Sequence, residues 1–453
     1  MKKLFGTDGI RGVAGKFPLD RATLFSIGCA LGETLLSEGK PPRVLIGRDT
    51  RESGTWISEE LVGALAAIGV DSISDAAVIS TPGLAYLTRA HQFDMGIMIS
   101  ASHNPFEDNG IKIFGKDGYK LTDDVEVKTE ERIYQYISNG RPTSRENHSR
   151  NKSVNTPQLV DDYTSFLTSQ FRSDLTLLRI GLDVCHGAAY SIAPKVFNSL
   201  GASVLVINDQ PNGRNINQGC GSLHLDGIRK LVRENQLDFG IAFDGDADRS
   251  LFITATGKIF DGDYILYALS LYFQQENQLK SGKIVGTVMT NFALEVALRQ
   301  KGIDLIRAAV GDRYVLEEMK KVGANLGGEP SGHVILSDYH TTGDGMLTAV
   351  TLAWILSSQN QSLDALSEGF QPFPQVLDGL RVQKKIPLST SPEITNLIRE
   401  AERHLKGSGR MVVRYSGTEP LLRIMAEGED RAFVKSLVSK LKRDLELQLA
   451  SIS

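Results

Sequence analysis

Three observations predict an α/β protein of several domains. The chain has 453 residues, well beyond the ~250 to 300 residues at which a single hydrophobic core stops growing. Strand-like apolar runs alternate with helix-period stretches, the signature of largely parallel sheets. The alternation also recurs three times, and each copy ends in a polar loop.

The first copy, residues 43–105, begins with a strand at Arg43 to Ile46 and a helical pattern from Ile57 to Ile68. A strand-like stretch and a short helix follow, and the copy ends with the apolar run Gly96 to Ile99 and "SASHNP". Residues 179–250 repeat the order: strand "RIGLDV", helix Ile192 to Leu200, strand "SVLVIN", helix Gly227 to Glu234, strand "DFGIAF", then "DGDADR". Residues 283–333 do so again, from "KIVGTV" through helix Phe292 to Gln300, "DLIRAAV" and helix Val315 to Val322 to "GANLGGEPSGH". Parallel sheets bind ligands at the carboxyl edge of their strands, so the three polar loops are predicted to occupy comparable positions.

Two breaks divide the chain. The polar stretch "SNGRPTSRENHSRNKSVNTP" from Ser138 to Pro157 reads as the exit from the first unit, and "GFQPFPQVLDG" around Phe370 as the entry to the last. Beyond it lie a helical pattern (Ile394 to Leu405), a strand pair around "MVVRYSGTEPLLRIMAEG" and an amphipathic helix (Arg431 to Leu449), a smaller α+β unit able to act as a lid. The predicted domains are 1–157, 158–256, 257–370 and 371–453.

Composition narrows the function classes. The chain is 41% hydrophobic and 23% charged with formal net charge -4, which argues against nucleic acid as a partner because backbone binding needs a broad basic surface. Cys29, Cys185 and Cys220 are odd in number and widely spaced, unlike a disulfide framework or zinc motif, so a reducing cytoplasm is expected. The amino-terminal residues turn to Gly and Asp at once, so no signal peptide is expected, and the apolar segment Leu347 to Leu356 is too short to span a bilayer. A soluble protein with no membrane partner follows.

Four loops carry candidate chemistry. In "GIMISASHNPFEDNGIKIF", Asn104 before Pro105 is pushed out of the helical region and Asn109-Gly110 is expected to make the reversal, leaving Ser102 on a fixed loop between strands. A plain turn would explain that loop equally well. "FDGDADRS" sets Asp244, Asp246 and Asp248 at alternate positions after an apolar strand, so three carboxylates can converge on one cation. An EF-hand fails, since its sixth and twelfth positions would be Arg249 and Ala255 and both flanks read as strands. Oxygen ligands favour a hard divalent ion such as magnesium. The charge balance then calls for cations, and Arg249, His103, Lys112, Arg11 and Arg48 are candidates.

"GGEPSGH" offers Glu329, Ser331 and His333 on a glycine-flanked turn, a pairing of carboxylate and hydroxyl suited to adjacent sugar hydroxyls. In "RYSGTEPLLR", Ser416, Gly417 and Thr418 can donate to a phosphate between the forked guanidinium groups of Arg414 and Arg423, although a hairpin with exposed arginines is an equal reading of that string alone. No Walker loop or complete Gly-x-Gly-x-x-Gly fingerprint occurs.

With "SASHNP", "DGDADR", "GEPSGH" and "RYSGTEP" in this order, the chain resembles the α-D-phosphohexomutase family over essentially its full length. "LFGTDGIRG" at 4–12, "VGDRYV" at 310–315 and Pro330 are most similar to the bacterial branch that acts on glucosamine phosphates. The resemblance implies three similar α/β domains with mixed, largely parallel sheets around a central cleft, plus a smaller C-terminal α+β domain. It implies Ser102 as phosphoserine, with Asp244, Asp246 and Asp248 joining it around one Mg2+, and Glu329 and Ser331 contacting sugar hydroxyls. Arg414, Ser416, Gly417, Thr418 and Arg423 match the distal phosphate site. Arg11, Lys112 and His333 match positions of proton transfer or charge stabilisation, with His103 and Arg249 beside them.

The implied activity is an isomerase that exchanges glucosamine 6-phosphate and glucosamine 1-phosphate through a 1,6-bisphosphate, which also serves as primer, and feeds UDP-N-acetylglucosamine and cell-wall synthesis. Members acting on mannose or glucose phosphates, a phosphoserine-dependent phosphatase and a non-catalytic sugar-phosphate sensor are the alternatives. A homodimer, and priming by a kinase or by autophosphorylation, stay open. One departure is Cys185-His186 in "LDVCHGAAY", where relatives commonly carry Ala-Asn; it touches no matched catalytic position.

Overall fold

The computed structural model describes all residues except 1–3, 7, 38, 140–152, 172–173, 384, 417–419 and 453, and omits the side chains of 450–452. Most of the linker expected between Ser138 and Pro157 therefore lies outside the described residues, as do Gly417 and Thr418.

The first sheet has seven strands in the order β1-β2-β6-β5-β3-β4-β7. They are β1 (Phe5–Gly6), β2 (Gly9–Val13), β3 (Arg43–Arg48), β4 (Ser72–Val78), β5 (Met95–Ile99), β6 (Asp108–Gly115) and β7 (Val154–Asn155), with helices α1 (Arg21–Leu36), α2 (Glu52–Ala67), α3 (Thr81–Ala90) and α4 (Asp123–Ser138). The Asp20 carboxylate caps α1 by accepting from the N–H groups of Ala22 and Thr23. Inside α1, Gly28 lets α2 approach, because a Cβ there would stand 2.5 Å from that of Ala64. Two expectations need correction. Asn109 and Gly110 lie inside β6 and not at the reversal, with Gly110 pressed against the Ser100 carbonyl. The end of the supposed linker is a strand, β7, paired with β4.

The second sheet, β12-β11-β10-β8-β9, is built from β8 (Arg179–Asp183), β9 (Ser203–Ile207), β10 (Phe239–Phe243), β11 (Ser250–Thr254) and β12 (Ile259–Phe260), with α5 (Gln158–Ser169), α6 (Ile192–Ser199) and α7 (Asp226–Asn235). The third, β14-β13-β15-β16, comprises β13 (Lys283–Thr287), β14 (Asp304–Ala308), β15 (Leu326–Gly328) and β16 (Val334–Leu336), with α8 (Gly262–Gln275), α9 (Phe292–Gln300), α10 (Asp312–Val322), α11 (Gly345–Gln359) and α12 (Leu363–Leu366). α11 is apolar nearly all round and accordingly buried along most of its length.

The recurrence seen in the sequence is one topology used three times. In each copy the leading strand lies in the middle, parallel to the second on one side and the third on the other: β3 between β4 and β5, β8 between β9 and β10, β13 between β14 and β15. Each third strand then turns back into an antiparallel neighbour, β6, β11 or β16. The hairpins so formed carry Ser102, the three aspartates and Glu329 in turn.

A single buried cluster runs through these three units, from Leu45 and Phe114 by way of Phe239 and Phe252 to Leu352 and Phe370. α5 joins them: its Phe166 stacks on Tyr86 of α3 at 4.1 Å, and its Tyr163 hydroxyl donates to Asp344, the cap of α11, at 2.8 Å. His340 seals the same seam. Its Nε2 lies 3.0 Å from the Pro82 carbonyl and its Nδ1 accepts from the Thr342 N–H, a pair of contacts that the neutral Nε2–H tautomer satisfies. Burial, and then Arg89, hold its pKa down to about 3. An unfolded histidine titrates near ~6.5, so this contribution to stability is complete above that pH and is lost as pH falls toward 3. His340→Gln keeps a donor and an acceptor without titrating; its unfolding free energy is expected to fall less steeply between pH 6.5 and 4, by up to ~1.4 kcal/mol per pH unit. Urea titrations at several pH values check this, and parallel pH profiles would refute it.

The fourth unit has its own core, a three-stranded antiparallel sheet β17-β19-β18 packed on two helices. Its elements are β17 (Gln375–Arg381), α13 (Pro392–Leu405), β18 (Gly409–Tyr415), β19 (Leu421–Gly428) and α14 (Arg431–Ile452). β17 occupies the second half of the supposed break around Phe370, a strand the sequence reading took for linker. The unit meets the third at the start of α9, where Phe292 N–H donates to Glu427 at 3.0 Å, Arg410 donates to the Thr290 carbonyl at 3.0 Å, and Asn291 exchanges hydrogen bonds with Phe373.

Candidate active site

The β5–β6 loop carries Ser102 in a left-handed backbone conformation, φ +53°, with the residue 1% exposed. A non-glycine residue there is uncommon and must be held by its surroundings. The hydroxyl donates to Asp244 Oδ2 at 2.6 Å and lies 3.2 Å from His103 Nδ1. Gly245 makes the approach possible, since a Cβ at that position would stand 2.4 Å from the Ser102 carbonyl.

On the β10–β11 loop, the carboxylates of Asp244, Asp246 and Asp248 bring oxygens within 4.8 Å of one another, and all three residues are buried. The other two units hold this loop by backbone bonds: Thr81 N–H to the Asp246 carbonyl at 3.0 Å and Gly345 N–H to the Ala247 carbonyl at 3.1 Å. Lys112 Nζ reaches Asp246 at 2.7 Å, Asp8 at 3.1 Å and Asp248 at 3.6 Å. Asp246 Oδ1 and Asp248 Oδ1 are buried without a hydrogen bond among the described residues, Asp248 Oδ1 having only Arg249 Nε at 3.8 Å. Oxygen-only donors with two orphaned atoms fit a hard divalent cation.

The electrostatics of the site reflect this crowding of buried carboxylates and cations. Burial, then repulsion from Asp248 and Asp246, pushes the Asp244 carboxyl well above its ordinary value. Burial would also raise Asp248, but Lys112 and His333 outweigh it and hold that carboxyl low. For Lys112 burial works against the charge, and Asp246, Asp8 and Asp248 overcome it to raise the ammonium pKa. His103 is driven the other way, to about 4, by burial and then by Arg249 and Arg11.

The β15–β16 loop brings Glu329, Ser331 and His333. Glu329 accepts from the Gly311 N–H at 3.0 Å, while Ser331 Oγ and His333 Nε2 are buried without a partner among the described residues. α8 fixes this loop from behind: Gly262 N–H donates to the Pro330 carbonyl, and any Cβ on Gly262 would strike the Glu329 backbone. Ser250 N–H donates to the Gly332 carbonyl at 3.1 Å, tying the acidic loop to the β15–β16 loop.

A cavity of about 370 Å³ joins these parts, lined by Arg11 and His103 of the first unit, Asp248 and Arg249 of the second, and Gly311, Asp312, Glu329 and His333 of the third. Its size suits a small polar ligand. Arg414 and Arg423 face each other in register across β18 and β19, on one face of the fourth sheet, but neither they nor Ser416 line the cavity. Arg48, expected among the convergent cations, does not join it; its guanidinium is engaged by Asp75 at 3.0 Å on another face of the first unit.

Sequence reasoning missed Asp8, Lys120, Asp312 and Thr81. Lys120 bridges Asp8 and Asp312 across the first and third units, and Thr81 donates to Asp246. Asp8 and Asp312 stood inside "LFGTDGIRG" and "VGDRYV", which was the available signal.

The chain matches known proteins over nearly its whole length. Sequence profiles of phosphoglucomutase/phosphomannomutase match in chain order: alpha/beta/alpha domain I at residues 2–140, domain II at 161–257, domain III at 261–373 and the C-terminal domain at 379–443. The phosphoglucosamine mutase of Solibacter usitatus is 45% identical over 448 residues, 98% of this chain and 99% of that one. That of Geobacter sp. (strain M21) is 44% identical over 456 residues, 99% of each. Among solved structures, a phosphoglucomutase/phosphomannomutase family protein of Burkholderia thailandensis superposes with TM-score 0.79 at 23% identity, covering 99% of this chain and 98% of that one. The N-acetylphosphoglucosamine mutase of Aspergillus fumigatus, in complex with GlcNAc-6P and magnesium, gives 0.68 at 15% identity over 98% and 95%. With profiles over most of the chain and near-full-length relatives above 40% identity, this protein belongs to the phosphoglucomutase/phosphomannomutase, or α-D-phosphohexomutase, family of isomerases.

Proposed function

We propose that this chain interconverts glucosamine 6-phosphate and glucosamine 1-phosphate, with Ser102 carrying the phosphoryl group between the two sugar hydroxyls. The observation that carries the reading is the 2.6 Å contact between the Ser102 hydroxyl and Asp244, beside two further carboxylates and a cavity that also holds Glu329 and His333. The names of the near-full-length relatives support the amino sugar as substrate.

In the proposed reaction the bond from phosphorus to Ser102 Oγ breaks as one forms to the sugar O1, giving glucosamine 1,6-bisphosphate. His333 lines the cavity with an unpaired Nε2 and takes the hydroxyl proton. Lys112 is engaged by three carboxylates and stands beside them as a balancing cation. The bisphosphate then turns, returns its 6-phosphoryl group to Ser102 and leaves as the 1-phosphate, while His333 gives the proton back. Glu329 and Ser331 hold ring hydroxyls in either orientation, and Arg249, Arg11 and His103 line the wall where phosphate charge collects. Mg2+ bound by Asp244, Asp246, Asp248 and the serine phosphate would supply charge neutralisation at the transferring group. The loop of Arg414, Ser416, Gly417, Thr418 and Arg423 grips the phosphate that is not reacting.

Water competes with the sugar at every transfer, so orientation must supply an effective molarity on the order of 10⁵ M or more. Parallel assays with the 6-phosphates of glucosamine, glucose and mannose, each primed with a sugar 1,6-bisphosphate, test the assignment. Glucosamine 6-phosphate is expected to give the highest kcat/KM. Faster turnover of glucose or mannose phosphate moves the chain to those mutases, and inorganic phosphate without isomer makes it a phosphatase.

A further inference from the structure

Four carbonyl groups in and beside the left-handed loop that presents Ser102, those of Ser102, Asn104, Pro105 and Asp108, accept from one side chain outside it. Arg51 follows β3 and is 2% exposed. Every one of its guanidinium N–H donors is used. Nη2 donates to the carbonyls of Ser102 at 2.8 Å and Asn104 at 2.9 Å, Nη1 to those of Pro105 and of Asp108 at 3.0 Å, and Nε to Asp49 at 2.8 Å. Asp49 in turn accepts from the Ser100 hydroxyl at 2.6 Å, and that hydroxyl accepts from the Ser102 N–H at 3.0 Å. Both peptide groups of Ser102 are therefore anchored through one buried ion pair. The second unit grips the same place, because Asn217 Nδ2 donates to the Ser102 carbonyl at 2.9 Å and the Asn104 carbonyl at 3.0 Å.

We infer that Arg51 and Asn217 form a two-sided clamp that positions the nucleophilic serine, Arg51 from within its own unit and Asn217 from the unit bearing the acidic loop. The inference rests on the reading of Ser102 as the phosphoryl carrier. A guanidinium is required because a planar fork of five donors serves four carbonyls and a carboxylate at once, and an ammonium with three donors cannot. Asn217 makes the serine's placement depend on the docking of the first two units, so the Oγ is set against Asp244 by the same contact that closes their seam. Neither Arg51 nor Asn217 is a wall of the cavity. The clamp therefore governs the rate of transfer and leaves substrate affinity alone.

Arg51→Lys and Asn217→Ala test this through kcat and KM measured separately, with thermal melts to show that each variant is folded. A displacement of ~1 Å at a reacting atom costs roughly 100-fold, so Arg51→Lys is expected to lower kcat by about that factor with KM for the sugar phosphate within about twofold. Loss of one of the two grips in Asn217→Ala is expected to lower kcat about tenfold, again without a KM change. Labelling with a 32P-bisphosphate, followed by peptide mapping, separates the two levels of the argument. Label on Ser102 in the wild type with these kcat losses supports the clamp. Label on Ser102 with kcat of both folded variants within twofold of wild type, or with the loss confined to KM, overturns it. Should Arg51→Lys fail to fold, Asn217→Ala decides by the same criteria. Absence of label on Ser102 in the wild type instead overturns the reading of that serine.

Discussion

Ser102→Ala is expected to lose mutase turnover by at least ~10⁴-fold while still binding glucosamine 6-phosphate, because the substitution removes the atom that carries the phosphoryl group and leaves the cavity walls in place. The side chain's described hydrogen-bonding contacts are His103 and, across the seam with the second unit, Asp244, and the substitution removes only these. Isothermal titration and a coupled assay on one preparation check both halves. Retained turnover would remove the serine from the mechanism, and lost binding would make the substitution structural.

Lys112→Met carries the second large effect, and here stability changes with activity. Lys112 is 1% exposed and sits among Asp246, Asp8 and Asp248. Removing one partner from a buried ion pair leaves the others uncompensated and typically costs ~3 to 5 kcal/mol. The variant is expected to lose stability of that order in a chelating buffer and to regain part of it on addition of Mg2+, since a divalent ion replaces the missing positive charge. Wild type should gain less from the ion. Urea unfolding with and without Mg2+ measures this, and a variant within ~1 kcal/mol of wild type in chelator would show that the carboxylates are neutralised in another way.

The parts of this site that were legible in the sequence share one property. Ser102, Asp244 and Glu329 follow apolar strands, and a strand's end places its next residues at a sheet edge whatever the rest of the chain does. The threefold order of elements was visible for the same reason, since local periodicity writes it. What the sequence concealed depends on distant partners. Lys120 bridges Asp8 and Asp312, separated by most of the chain, and nothing near any of them announces the contact. Arg48 and Arg51 lie three residues apart and read alike, yet one pairs with Asp75 at the surface and the other disappears behind the nucleophile. Turn chemistry misled at Asn109-Gly110, where tertiary packing of Gly110 against Ser100 took a turn-prone pair into a strand. β17 was hidden because prolines at 372 and 374 read as linker up to the point where the strand begins.

The separate core of the fourth unit lets it turn as one body. The seam with the third unit is made by hydrogen bonds at Glu427, Arg410 and Asn291 and by the Phe292–Phe373 pair, and no core cluster of the described residues runs across it. Motions of this hinged kind run on the order of microseconds to milliseconds. On the proposed reading, such a motion would loosen the hold on the idle phosphate while the transfer site, built on the shared core of the other three units, stays assembled.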